Sequence, residues 1–154
     1  MFKSISNTVS NKHLNVSVSV SVGVGDFNKV YFEFLKFIEL HLKNDNNFKS
    51  FYRKNIMMKE TNPKYFIKSW YTRITYKYYN EIKVKDISFF LNKDYNNDIN
   101  NESQTNLLLS YINKFKDSYD TLDETIKSTF VQFICELTEL SFLYYKQKDI
   151  KSIK

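Results

Sequence analysis

The chain has 154 residues, of which 42% are hydrophobic and 26% are charged. This length fits one domain with a substantial core. The 2 glycines and 1 proline argue against an all-β sandwich or barrel, which needs many tight turns. The single cysteine excludes an intrachain disulfide and a multi-cysteine zinc site. Because no apolar run approaches the length of a membrane span, we expect no membrane partner.

The net charge of +6 is unevenly distributed along the chain. Residues 43–93 contain 12 Lys and Arg against 4 Asp and Glu, whereas residues 94–145 contain 3 against 9. The basic segment 43–93 indicates either a surface for a polyanion such as nucleic acid or one half of a charge pairing within the fold or between copies.

Residues 1–25 differ from the rest in composition, because valines alternate with Ser, Asn and Gly from Asn15 to Gly25. Period-two alternation would place every valine on one face of an extended strand. No second strand of similar pattern follows, so the segment is predicted to be a flexible low-complexity tail. The serines interrupt any continuous apolar run, so no secretory signal is expected and the protein is expected inside the cell, in the cytoplasm or a virion.

Helical periodicity begins near Asp26, a favourable N-cap, and continues to Leu42. Phe32 and Leu40 fall on the polar side of this helix and therefore each need another partner. A second helix is predicted over 48–60, and its inward residues are predicted to be Phe48, Phe51, Tyr52, Ile56 and either Met57 or Met58. Asn62-Pro63 predicts the start of a third helix that runs to about Lys83.

The remaining predicted helices lie at 86–92, from 105 to about 119, and from 121 to about 147. Thr121 and Glu124 have the spacing of a capping box at the start of the last helix. This helix has an apolar arc wide enough to be covered on several sides, so it is predicted to be the centre of the bundle. The fold is therefore predicted to be all-α, a bundle of five to six helices over residues 26–148.

Neither a nucleophilic nor a metal site is indicated by the chemistry-bearing residues. Cys135 lies in an apolar run and is predicted to be a buried structural residue, because a reactive cysteine needs an electropositive, partly exposed setting. The Asp94-x-Asn96-x-Asp98 loop opens like a calcium loop, but it lacks the glycine and the glutamate that such a loop requires. We expect a non-enzymatic protein without a metal or other cofactor.

The outer face of the third helix is the candidate binding surface. Exposed tyrosines alternate with lysines there at three- and four-residue steps, and the surface is named the tyrosine–lysine face: Tyr65, Lys68, Thr72, Arg73, Tyr76, Tyr79 and Lys83. Tyrosine is enriched in interface cores, so a protein partner or a second copy of the chain is the leading prediction. Nucleic acid is the alternative, because tyrosines stack on bases and lysines neutralise phosphates. A third possibility is that some of these tyrosines pack under neighbouring helices.

Residues 51–98 carry a resemblance to a known group of sequences. The motifs are Thr61-Asn62-Pro63-Lys64, Ser69-Trp70-Tyr71 and Leu91-Asn92-Lys93-Asp94-Tyr95. This part of the chain resembles small uncharacterised proteins of large DNA viruses, and the amino-acid usage, typical of an AT-rich genome, agrees. The resemblance implies a virion or host-cell setting, and it transfers no functional residue.

Overall fold

The computed structural model describes residues 21–42, 45–88 and 104–153, without the side chains of 104–106 and 149–153. Within these ranges the secondary structure is helical and contains no strand, so the all-α prediction is confirmed. The predicted helix at 86–92 and the Asp94 loop lie largely or wholly outside the described residues, as do residues 1–20 of the predicted tail.

The first two helices form an antiparallel pair joined by a short turn. Helix α1 (Val24–His41) buries Phe27, Val30, Tyr31, Phe34, Leu35 and Ile38 at helical spacing. Helix α2 (Asn46–Thr61) begins at Asp45, whose Oδ1 accepts a hydrogen bond of 3.0 Å from the Phe48 N–H. Lys114 Nζ reaches the other Asp45 oxygen at 3.2 Å and ties this turn to a later helix.

The third predicted helix is interrupted in its middle by a π-helical segment. Helix α3 (Tyr65–Trp70) passes into the π segment (Tyr71–Thr75) and then into helix α4 (Tyr76–Lys83). The Tyr76 N–H donates to the Tyr71 carbonyl, five residues back. A π turn holds one residue more than an α turn, so the face that is buried after the segment shifts by one position.

Two helices complete the bundle. Helix α5 (Gln104–Asp117) is followed by a 3-10 turn (Tyr119–Thr121), and helix α6 (Glu124–Ile153) then packs against α1, α3, α4 and the π segment. Its buried residues are Phe130, Phe133, Ile134, Leu137, Thr138, Leu140, Ser141 and Tyr144. The bundle is therefore centred on α1 and α6 together and not on α6 alone, because α1 packs against α2, α3 and α5 as well as against α6.

Aromatic rings connect the helices through the core. Phe34 of α1 stacks on Phe133 with 5.3 Å between ring centroids. Phe115 of α5 stacks on Phe130 at 4.5 Å. Since stacked aromatic pairs add to the free energy gained from area burial alone, these contacts fix α1 and α5 against α6.

The chain enters the core earlier than the predicted tail boundary at residue 25. Val22 is 2% exposed and belongs to the core. Gln147 of α6 holds its backbone, accepting from the Val22 N–H at 3.2 Å and donating to the Val22 carbonyl at 2.7 Å. The two hydrogen bonds make residues 22–25 part of the folded domain, because they anchor the start of α1 to the end of α6.

Two apolar residues are more exposed than the sequence predicts. Ile56, predicted to face inward, is exposed on α2, and Leu40, expected to need a partner, is exposed on α1.

Several predicted helix ends are wrong by a few residues. Helix α1 starts after Gly23, whose N–H donates to the Asp26 carboxylate at 2.8 Å, so Asp26 supports the first turn from inside it. Helix α3 starts at Tyr65, after a turn at Pro63. Asp123 rather than Thr121 caps α6, accepting from the Ile126 N–H at 3.0 Å, because Thr121 lies in the 3-10 turn.

Candidate binding groove and the tyrosine–lysine face

The π segment divides the tyrosine–lysine face into two parts. Before the segment, burial falls on Phe66, Ile67 and Trp70; within it on Ile74 and Thr75; and after it on Ile82. This is a shift of one position from the spacing that a continuous α-helix would keep. Residues Tyr65, Lys68 and Thr72 therefore do not share one straight stripe with Tyr76, Tyr79 and Lys83.

The members of the face differ in their exposure. Lys68, Thr72, Tyr76 and Lys83 are exposed, whereas Tyr65, Arg73 and Tyr79 are half-buried. Tyr76 is the most open of the tyrosines on the face, with 78% of its surface accessible. The Thr72 hydroxyl donates to the Lys68 carbonyl at 2.8 Å, a contact within the helix itself. The assignment of these residues to partner binding stays a prediction.

Tyr79 packs against α6 instead of projecting freely. Its ring stacks on Phe142 with 4.1 Å between centroids and 16° between planes. Its hydroxyl donates to Glu139 Oε2 at 3.1 Å. Burial, then the charge of Glu139 and the hydrogen bond to it, raises the pKa of Tyr79 to about 12. Tyr79 is thus a contact between helices, in line with the third possibility for tyrosines of this face.

Cys135 lies beside the same contact and is half-buried. Its thiol contacts the Ile82 carbonyl at 3.5 Å. Burial raises the pKa of the thiol, although Lys85 opposes that shift. A raised pKa keeps the thiol protonated and weakly nucleophilic, which agrees with the structural role predicted for it. Among the described residues, no three His, Cys, Asp or Glu side chains cluster as metal ligands would.

A concave surface lies next to the start of α3. It is a groove of about 760 Å³ between α1, α2 and the turn that leads to α3. We name it the basic groove, and it is lined by Val24, Gly25, Asn28, Lys29, Phe32, Glu33, Lys36, Tyr52, Lys59, Pro63 and Lys64. The residues from α1 recur at three- and four-residue steps and therefore form one helical face.

Two half-buried aromatic rings form the apolar part of the basic groove. Phe32 and Tyr52 meet edge to face at 6.1 Å, and Phe32 also packs edge to face on buried Phe66 at 5.5 Å. The Lys59 ammonium lies 4.9 Å from the centre of the Phe32 ring. The ring of Phe32 is thus held by two edge-to-face contacts, and the Lys59 ammonium lies over its face.

Four lysines and one glutamate give the basic groove a positive charge. Lys29, Lys36, Lys59 and Lys64 are exposed, and they come from α1, α2 and the following turn. Lys59 and Lys64 belong to the predicted basic segment 43–93, whereas Lys29 and Lys36 come from outside it. The fold therefore concentrates cations from two parts of the sequence on one concave surface.

The basic groove also contains two buried acceptor atoms. Asn28 is 6% exposed, and its Nδ2 donates to the Pro63 carbonyl at 3.0 Å. This bond orients the amide, and it directs Asn28 Oδ1 away from Pro63. Within the described part of the chain, Asn28 Oδ1 and Glu33 Oε1 are buried and have no hydrogen-bond partner. Because unpartnered buried acceptors are unfavourable, these two oxygens lower the stability of the fold at this place.

Sequence reasoning missed the basic groove, although one signal pointed towards it. Phe32 lies on the polar side of α1 and was expected to need a further partner. That partner is the set of Tyr52, Phe66 and the Lys59 ammonium. The position at which α2 packs on α1 depends on tertiary packing, so it cannot be predicted from the helical periodicity of either helix.

Comparisons of this chain with protein-family models, curated proteins and solved structures yield no match. The resemblance of residues 51–98 to proteins of large DNA viruses therefore stays a prediction. A search of the described helices for a span both long and apolar enough to cross a membrane also finds none.

Proposed function

We propose that this domain is a non-enzymatic binding module that holds single-stranded nucleic acid in the basic groove. The observation that carries the proposal is the convergence of four lysines around two half-buried aromatic rings. A positive groove that follows the phosphates, combined with rings on which bases stack, is the common design of single-strand binding proteins.

The lysines supply the affinity in this proposal. Each phosphate that a lysine neutralises releases condensed counterions, so binding to a single strand weakens with salt by about 0.7 in the log–log slope per phosphate. Lys29 and Lys36 are two turns apart on α1, and Lys59 and Lys64 lie across the groove from them. Because the lysines are separated in this way, they suit the several phosphates of an extended nucleic-acid backbone better than one isolated phosphate.

The aromatic rings favour a single strand over a duplex. Phe32 and Tyr52 are half-buried within the groove, so only a base that is free to leave its neighbours can reach them. Bases in a duplex are stacked and paired, and taking one out costs a few kcal/mol. A single strand presents its bases without that unpairing cost, and stacking on an aromatic side chain contributes about 1–3 kcal/mol per base.

Binding of a labelled mixed-sequence single strand, followed by fluorescence anisotropy at low and physiological salt, tests the proposal. Replacing Lys29, Lys36 and Lys64 by Gln should lower the affinity at least about ten-fold and reduce the salt slope by about 2. The matched control replaces Lys68, Lys77 and Lys83, three exposed lysines outside the groove, and it should change the affinity much less.

Three results would overturn the proposal. The first is the absence of single-strand binding at low salt. The second is an equal loss of affinity in the two triple variants, which would indicate unspecific attraction to net charge. The third is displacement of the strand by a polyglutamate peptide of the same charge at the same concentration, which would assign the groove to an acidic protein partner.

A second candidate function, a protein-interaction module, is favoured by the exposure of Tyr76. Its ring lies 6.4 Å from the ring of Tyr71, which packs on Tyr145 of α6 at 4.4 Å. An exposed tyrosine beside two half-buried ones could anchor a partner or a second copy. Tyr76→Ser should then weaken self-association in sedimentation or light scattering and leave helicity unchanged. Unchanged association in this variant would remove the support for the candidate.

A further inference from the structure

The basic groove reaches one end of the bundle, where Val24 of α1 and Pro63 and Lys64 before α3 form its rim. The lysine-rich end of α6 lies at the same end of the bundle, and residues 146–154 contain four lysines and one aspartate. On the basis of the proposed function, we infer that a bound strand leaves the groove at this rim and continues to Lys148 of α6. Strands long enough to contact both the groove and Lys148 are therefore bound more tightly than shorter ones.

A pair of hydrogen bonds joins the end of α6 to the chain segment that leads to the rim. The Gln147 side chain accepts from the Val22 N–H at 3.2 Å and donates to the Val22 carbonyl at 2.7 Å. Val22 precedes Val24 by two residues, and two residues of extended chain span at most about 7 Å. The backbone that Gln147 holds and the rim of the groove are therefore neighbours.

The antiparallel packing of the π segment on α6 gives the same placement. Tyr71 packs on Tyr145 with 4.4 Å between ring centroids, and the hydroxyls of Thr75 and Ser141, each four residues away, lie 2.6 Å apart. Residues that precede Tyr71 therefore lie level with residues that follow Tyr145. Lys64, seven residues before Tyr71, is thus at the same end of the bundle as the last turns of α6.

Lys148 and Lys146 lie on different sides of α6. The Lys148 ammonium lies 4.9 Å from the ring centre of Tyr144, which is 7% exposed and belongs to the core. The exposed Lys148 is one turn beyond Tyr144 and therefore on the side of α6 that faces the core. Two residues of α-helix correspond to a rotation of about 200°, so Lys146 is on the opposite side. Its ammonium lies 5.7 Å from the ring centre of Phe142, which stacks on Tyr79 of α4.

The charges at the end of the bundle favour a phosphate backbone that crosses from the rim to α6. Lys64 and Lys148 are both exposed. Asp26 is an acidic group at the start of α1, and its carboxylate accepts a hydrogen bond from the Gly23 N–H at 2.8 Å. A strand that reaches Lys148 meets one lysine more than the groove supplies. Lys148 therefore adds affinity and about 0.7 to the salt slope, and it does so for long strands only.

Fluorescence anisotropy with oligo(dT) strands of two lengths tests the extension of the site to Lys148. Single-strand sites on small domains span about 4–16 nucleotides, so a strand of about four nucleotides matches the groove and one of about twelve also reaches Lys148. Lys148→Gln should lower the affinity for the longer strand about four-fold at physiological salt and reduce its salt slope by about 0.7. The shorter strand should be affected much less.

Lys146→Gln is the matched control for this substitution. It also removes one exposed lysine that lies over an aromatic ring one turn earlier on α6. It should change the affinity for either strand little, because Lys146 lies on the other side of the helix. Charge reversal by Lys148→Glu and Lys146→Glu should enlarge the difference between the two positions. Thermal unfolding monitored by circular dichroism checks that each variant is folded.

The outcomes separate the extension to Lys148 from the proposed function. If neither strand binds the unmodified protein at low salt, the proposed function fails. If the longer strand binds but Lys148→Gln and Lys146→Gln lose equal affinity, the extension is overturned and binding in the groove stays in place. Equal losses for the short and the long strand in Lys148→Gln would also overturn it, because Lys148 would then act on the groove itself.

Discussion

Two regions of the molecule treat their polar side chains in opposite ways. In the seam where α3, the π segment and α4 pack on α6, two pairs of buried polar groups form hydrogen bonds between the helices. The Trp70 indole N–H donates to the Thr138 hydroxyl at 3.1 Å, and the Thr75 and Ser141 hydroxyls lie 2.6 Å apart. In the basic groove, Asn28 Oδ1 and Glu33 Oε1 are buried without such partners in the described chain.

The contrast distinguishes polar groups whose loss would leave a buried partner unpaired, as in the seam, from buried acceptors such as Glu33 Oε1, which have no hydrogen bond to lose. A hydrogen bond between buried groups contributes about 0.5–1.5 kcal/mol to stability, and an orphaned partner costs about 1–3 kcal/mol. Removing a polar group should therefore destabilise the protein in the seam and have little effect in the basic groove. The predictions that follow test this contrast, beginning with the largest expected effect.

Ser141→Ala should lower the free energy of unfolding by about 1–3 kcal/mol. The Ser141 hydroxyl donates to the Thr138 carbonyl at 2.9 Å, so Thr75 is the donor in the 2.6 Å contact between the two hydroxyls. Removing the Ser141 oxygen therefore leaves a buried Thr75 donor without this acceptor. Thr75→Val removes the donor instead and should cost less. Urea denaturation of both variants measures the difference.

The double variant provides the control for this pair. In Ser141→Ala with Thr75→Val, neither hydroxyl is left behind, so the total loss should be smaller than the sum of the two single losses. Additive losses would show that the two hydroxyls do not stabilise each other.

Tyr79→Phe should change the dependence of stability on high pH more than stability at neutral pH. The stacking on Phe142 is kept, and the hydrogen bond that is lost lies at the surface. Burial and Glu139 raise the pKa of Tyr79 from 10.0 to about 12, so the folded state favours the neutral phenol. The contribution of the neutral Tyr79 phenol to the stability of the folded state is fully present below pH 10 and is lost as the pH rises towards 12.

Denaturant unfolding at neutral pH and above pH 10 measures this effect. The unmodified protein should lose more stability over that range than Tyr79→Phe does. Tyr76→Phe is the matched control, because it removes a hydroxyl from an exposed ring on the same helix. An equal loss in the unmodified protein and in Tyr79→Phe would contradict the role assigned to Tyr79.

The helices were predictable from the sequence because their apolar residues recur at helical spacing. The wide apolar arc of α6 correctly predicted that several elements cover it, but it did not predict that α1 packs against as many neighbours. The π segment was not predictable in this way, because Ile74 fits the spacing before it and Thr75 fits the spacing after it. With both residues buried, the pattern permits either a continuous α-helix or a helix with one additional residue.

The candidate site was harder to predict, because it depends on contacts between helices. The prediction of the tyrosine–lysine face assumed an uninterrupted α-helix, so one additional residue in the π segment was enough to separate the two halves of the face. The basic groove requires Lys29 and Lys36 of α1 to face Tyr52 and Lys59 of α2. Spacing within one helix contains no information about the rotation of the next helix, and only the isolated position of Phe32 indicated a contact there.

Of these substitutions, Glu33→Met should change the free energy of unfolding the least. Any change should be an increase, whereas the substitutions in the seam should lower the free energy of unfolding. Glu33 Oε1 is buried without a partner in the described residues, and Met has a similar length but no polar oxygen. Removing a buried acceptor that has no hydrogen bond should leave stability unchanged or raise it by up to about 1 kcal/mol. Glu39→Met, one to two turns further along α1 and outside the groove, controls for the general effect of the substitution. A loss above about 1 kcal/mol in Glu33→Met alone would mean that this carboxylate stabilises the fold, and the contrast between the two regions would then rest on Asn28.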